Sequence, residues 1–250
     1  MTKKKEKVKA SSETGVVSWE EMMKDEAKEV AKTERPSVTR ISLQSGVMTF
    51  NDTPVPDNEL TCIVADVIHE QVYYDQPYEP GVVNPPACFA YGEPGQDLQA
   101  HEAVPERDWE GWGACNGCIM NAWRKPPGKG KPCGERRKLA ILPWLDNVEE
   151  YANAEIAILS LPVMSVKNWA NYVNGLSANF QRPSWGMLTK ILVKPDPKSQ
   201  FRVHFEPVEP LADEYIGATH ARKEVCRSTL MVPYDLSPKS EEAPADSGKY

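Results

Sequence analysis

The chain has 250 residues, 40% of them apolar, and a formal net charge of -7, which suffices for one large domain or two small ones and argues against wholesale disorder. No apolar run reaches the roughly 18 residues needed to cross a bilayer, and the basic start MTKKKEKVKASSE has no apolar stretch behind it, so a soluble, cytoplasmic protein is expected. An acidic molecule does not attract polyanions as a whole, so any nucleic-acid site must be local.

Residues 1–36 read as an N-terminal arm. Ser18 and Glu21 form a capping box for SWEEMMKDEAKEVAKT, whose Trp19, Met22, Met23, Ala27, Val30 and Ala31 share one stripe. Such an amphipathic helix packs on its own domain or joins a neighbouring protomer, which makes self-association one expectation. Strand-like periodicity follows in SVTRISLQ, GVMTFND and ELTCIVADVIHEQVYYD, rich in β-branched and aromatic residues. Residues 79–134 break that rhythm with prolines, glycines, acids and four cysteines, as a segment organised by a metal does.

Strands resume in RRKLAILPW and NAEIAILSLPV. A short helix, SVKNWANYVNGL, is expected next, with Ser165 as its N-cap and Gly175 near its end. WGMLTKILVKPDPKSQFRVHFEPV reads as a hairpin about Asp196-Pro197-Lys198-Ser199, and a last helix is expected around Ala212 to Ser228. Residues 37–232 thus form the main domain, and SPKSEEAPADSGKY belongs to a tail over 233–250 that is too polar to fold. The fold class expected is mainly β with minor α.

Six cysteines in a chain of this kind are too few for a disulfide framework. Cys115 and Cys118 form a Cys-Asn-Gly-Cys knuckle, Cys133 follows after fourteen intervening residues, and Cys88 precedes the pair by twenty-six. Four thiolates close a tetrahedral Zn2+ site at about 2.3 Å per bond, and a closed site is structural because no position is open to substrate. The ligands expected are Cys88, Cys115, Cys118 and Cys133, with His101 the rival for the place of Cys88. A redox dithiol would need the pair to open a helix, whereas Gly111, Gly113 and Gly117 argue for a loop. Cys62 and Cys226 read as small buried hydrophobes.

Arg124, Lys125, Lys129, Lys131, Arg136, Arg137 and Lys138 stand against one acid, Glu135, in fifteen residues. A ribbon of this charge releases counterions from phosphates, and flat rings beside it supply base stacking without sequence preference. Trp123, Trp112, Tyr74 and Tyr91 are the rings expected to take part. Neither a phosphate-loop spacing nor a His-x-x-x-His pair or nucleophile elbow is present, so no enzyme is expected.

ELTCIVADVIHEQVYYD leading to PPACFAYG, ACNGC with GKGKPCGERRKLAIL, and AEIAILSLPVMSVKNWANYVNGL followed by FRVHFEPV together resemble the single-stranded-DNA-binding proteins of tailed phages over residues 40 to 210. The resemblance implies an OB-like barrel with a zinc-stabilised insertion. It also implies non-catalytic coating of exposed single-stranded DNA in replication, recombination or repair, in the cytoplasm of an infected bacterial host. The best-known zinc-bearing members use one histidine with three cysteines. Their strongly acidic tails recruit replication or recombination partners, whereas here Lys239 and Lys249 dilute Glu241, Glu242 and Asp246. Two other readings stay open: a scaffold whose zinc loop mediates protein contacts, and a nuclease or recombination accessory enzyme.

Overall fold

A computed structural model of the chain describes Met23 and residues 39–77, 84–124 and 130–236. The chain divides into two compact units, Met1–Ser37 and Val38–Tyr250. Of the first, Met23 alone is described, helical and exposed; the amphipathic helix expected there otherwise lies outside the described residues.

The second unit is mainly β, as its alternating and β-branched runs require. Among the described residues nine strands make one sheet that curls into a half-barrel: β1 (Thr39–Ser42), β2 (Thr49–Phe50), β3 (Thr53–Pro54), β4 (Glu59–Tyr73), β5 (Cys88–Gly92), β6 (Gly134–Pro143), β7 (Ala157–Leu161), β8 (Met187–Asp196) and β9 (Gln200–Pro210). Their order is β3-β2-β1-β7-β6-β4-β8-β9, with β5 added to β4; β1 and β7 are parallel and every other pair is antiparallel.

Strand β4, fifteen residues long, is the spine. On one side it pairs with β6 from Cys62 to Val72, with an irregularity between Val64 and Asp66. On the other it pairs with β8 only over Glu59–Cys62 and with β5 only over His69–Tyr73. Among the described residues, 63–68 therefore have no strand neighbour on that side.

Both faces of the sheet are covered, so β4 and β6 read as nearly continuous apolar runs. Cys62, Val64, Leu139 and Ile141 pack with Trp169, Tyr172 and Leu176 of α1 (Val163–Phe180). Ile63, Ala65, Ile68, Ala140 and Leu142 pack with Tyr151, Leu211, Cys226 and Leu230. Their cover includes α2 (Asp213–Ala221) and α3 (Lys223–Leu230), the helical stretch expected near the end of the domain. Cys62 and Cys226 are fully buried, in keeping with their reading as small hydrophobes.

Helix α1 departs from its expected bounds. Pro162 occupies the cap position and Ser165 lies inside the helix, buried, its Oγ accepting from Val203 N at 3.0 Å on β9. A serine committed to the neighbouring strand cannot cap its own helix. Gly175 is passed without a break, and the helix ends where Gln181 turns left-handed at φ 53°. The β8–β9 hairpin is as expected: Asp196 Oδ1 accepts from Lys198 N and Ser199 N, both at 2.9 Å, the self-bonded turn that Asp favours.

Beyond α3 the chain does not leave the sheet at once. Tyr234 and Leu236, counted by composition with the tail, pack on Val72, Phe89 and Val104. Tyr234 donates to Glu70 Oε1 at 2.7 Å. Residues 237–250 lie outside the described residues. Among the described residues no helix is long and apolar enough to cross a membrane.

Candidate nucleic-acid interface

The expected metal ligands are distributed about the end of β4. Register places Cys88 opposite Tyr73 and Gly134 opposite Val72, so Cys88 and Cys133 flank the same strand end from its two sides. The segment between them folds back to deliver the other pair. Gln99 and Ala114 form an antiparallel bridge, and Cys115 N donates to Leu98 O at 3.0 Å. Gly117 N donates to Ala114 O at 3.1 Å, closing the turn of the knuckle, and Cys133 N donates to Met120 O at 2.8 Å, tying the third cysteine to its far side.

Asn121 braces the arrangement. Its Nδ2 donates to Cys115 O at 2.8 Å, and its Oδ1 accepts from Lys131 Nζ at 3.2 Å. Gly111 is required by close approach: at φ +73° a Cβ there would stand 2.0 Å from the Gly117 carbonyl oxygen.

All six cysteines are free thiols. Burial pushes Cys88 and Cys115 up to about 11 and Cys133 up to about 12, and in each case other cysteines of the four add to the rise. Cys88, Cys115 and Cys133 are thus each partly desolvated and each within electrostatic reach of other cysteines of the set. Among the described residues, however, no three His, Cys, Asp or Glu side chains are already arranged to hold a metal ion. Proximity and coordination geometry are distinct: the shared electrostatics speaks to the first, and the set has the thiol chemistry that zinc takes. His101 is engaged elsewhere, its ring stacked on Phe89 at 4.8 Å and its Nδ1 accepting from Ala103 N at 3.1 Å.

The basic ribbon is divided by the pleat of β6, because successive residues of a strand point to opposite faces. Arg136 and Lys138 share one face and Arg137 takes the other. Arg136 lies over the ring of Tyr74, 5.6 Å from its centroid. Lys138 is no part of an exposed ribbon: it is 5% exposed, donates to Leu230 O at 2.7 Å and sits 4.3 Å over the Tyr91 ring. An ammonium walled in by α3 and two tyrosines is out of reach of a phosphate. Tyr91 is half-buried, packed on Phe89, His101 and Tyr234, with its hydroxyl turned inward. Arg137 pairs with Glu135 at 3.2 Å on the opposite face.

What remains on the side of the knuckle is an alternation of rings and cations. Trp123 is 73% exposed, with Lys131 5.8 Å from its centroid, and Arg124 beside it is exposed. Tyr74 is exposed beneath Arg136. Trp112 meets Trp109 edge-on at 5.5 Å; Trp109 meets Tyr73 at 5.3 Å and carries Arg107 at 5.8 Å. Arg107 and its indole are absent from the basic run because they precede the knuckle in sequence and reach the site only through the fold. Lys125 and Lys129 lie outside the described residues. The same loop carries exposed Glu102, Glu106, Asp108 and Glu110, so positive charge is concentrated after Cys118.

Comparison with protein-family models, with curated proteins and with solved structures gave no match to this chain.

Proposed function

We propose that this protein binds single-stranded DNA without sequence preference and without catalysis, through the rings and cations gathered beside the knuckle. The observation carrying the reading is the pairing of three rings near the knuckle each with its own cation: Trp123 with Lys131, Tyr74 with Arg136 and Trp109 with Arg107. Such a pair offers a π face for a base and a charge for the adjoining phosphate, and neither contact distinguishes one base from another. A duplex hides its base faces, so the arrangement favours unpaired strands.

In this reading Cys88, Cys115, Cys118 and Cys133 hold a structural Zn2+ as thiolates. The ion would contribute folding free energy to a long irregular segment and leave no open position for chemistry. Asn121 links that centre to the interface by bonding both the Cys115 carbonyl and Lys131. The curled, mainly β sheet is compatible with an OB-like architecture, whose sheet surfaces bind extended strands. A role in phage-type replication, recombination or repair follows from this binding chemistry together with the sequence resemblance.

The test is titration of fluorescent single- and double-stranded oligonucleotides at two salt concentrations, with metal measured on the same preparation. We expect preference for the single strand, weakening with salt, and one zinc per chain. Failure to bind unpaired oligonucleotides in dilute buffer would overturn the reading.

A further inference from the structure

Arg137 raises a separate question, because the pleat turns it away from the Arg136 and Lys138 side and into a cleft of about 450 Å³, lined from α1 on one face of the sheet and from α3 on the other. The cleft lies along residues 63–68, where β4 has left β8 and has not yet met β5. Its floor is Asp66, Val67 and His69; Trp169 and Asn174 of α1 form one wall, and Trp185, Lys223 and Arg227 the other. A gap in a sheet beside a strand irregularity, lined by cations and indoles, is how a small-molecule site is built.

We propose that this cleft binds a nucleoside monophosphate, either as a free nucleotide or as the phosphorylated end of a strand. Three cationic side chains line it, and they are not equally committed. Arg227 is held by Asp66, its Nη2 2.9 Å from Oδ1, and also contacts Glu93, so it is a fixed donor. Among the described residues Arg137 has one carboxylate partner, Glu135, half-exposed on its own strand, besides a bond to the Arg136 carbonyl at 2.9 Å, and such a partner is exchanged for phosphate at little cost. Among the described residues Lys223 has no carboxylate partner.

The indoles and the amide select for more than phosphate. Trp185 is half-buried, with the imidazole of His220 5.4 Å away, and lines the cleft beside exposed Asn174. A ring face and an amide are what a base requires for stacking and for a hydrogen bond to its edge. Burial and Arg137 both hold His69 below its usual range, so near neutral pH it is an uncharged imidazole able to bond a sugar or base. These residues are distinct from the knuckle side, so either site can fail without the other.

Calorimetric titration of the full-length protein with dTMP, thymidine and inorganic phosphate tests the proposal. We expect saturable binding of dTMP, with thymidine and phosphate each weaker by about tenfold or more. Lys223→Ala should weaken dTMP about tenfold, and Trp185→Phe, chosen to preserve packing, should weaken it measurably; Trp123→Ala should leave it unchanged. In the Trp123→Ala background, a 5′-phosphorylated oligothymidylate binding more tightly than its 5′-hydroxyl form assigns a strand end, and equal binding assigns a free nucleotide. Absence of saturable dTMP binding at millimolar concentration, or binding untouched by Lys223→Ala, would overturn the proposal, whatever single-stranded DNA does beside the knuckle.

Discussion

Neutralising cations one face at a time should separate the residues proposed to meet DNA from those that only share their stretch of sequence. Among the described cations near the knuckle, Arg124, Lys131 and Arg136 have the exposure or the ring partner that the interface needs. Lys138 is enclosed between Leu230 and Tyr91. Each phosphate neutralised on a single strand contributes about 0.7 to the slope of log affinity against log salt. Changing Arg124, Lys131 and Arg136 to Gln should therefore flatten that slope by about 2. Between 50 and 200 mM salt this difference amounts to roughly 16-fold less loss of affinity for the variant than for the parent protein. Lys138→Met should leave the slope alone while lowering stability, because it strips Glu70, fully buried with Oε2 unpartnered, of a nearby positive charge. Fluorescence anisotropy of a labelled oligothymidylate across a salt series reads both effects. A slope unchanged in the triple variant, or flattened equally by Lys138→Met, would refute the division of the ribbon by the β6 pleat.

Three further outcomes follow from the same contacts. Burial lowers Lys138 from 10.5 to about 8, so between those values the unfolded chain binds more protons than the folded one. Stability from this residue should rise as pH increases from about 8 toward 10, and denaturant titrations of Lys138→Met should lack that rise. Gly111→Ala forces a Cβ against the Gly117 carbonyl at a left-handed φ and should cost about 1–3 kcal/mol or more of local stability. In that variant, the zinc proposed at the four cysteines should leave for a chelator faster, and hydrogen exchange should accelerate first in residues 98–121. Tyr234→Phe removes the bond to buried Glu70 and should destabilise the unit by about 1–3 kcal/mol, seen as a lower Tm, without altering the salt slope.

Much of the fold was legible because its signals are local. The 15-residue run of β4, the β8–β9 hairpin with its Asp196 turn and the paired strands β6 and β7 all follow from periodicity and turn chemistry, which act between neighbours in sequence. Cys115 and Cys118 could be singled out for the same reason, since two cysteines three apart lie on one turn whatever surrounds them. Helix α1 shows where local reading stops. Ser165 has the composition of a cap, but a strand 38 residues away uses its hydroxyl, and nothing nearby in sequence announces that claim.

The sequence by itself determined the mainly β class, the order of most elements and the kinds of side chain a site could draw upon. Only the tertiary structure decided which of them share a place. Charge density along the chain is blind to the two-residue period of a strand, so the described cations of that run became three beside the knuckle, Arg124, Lys131 and Arg136, an interior lysine and an arginine facing a different cleft. Pairing to β4 brought Cys88 and Cys133 to one strand end, and Arg107 and Trp109 joined the rings beside the knuckle. Each of these depends on which residue lies across from which, a relation set by register and burial over the whole sheet.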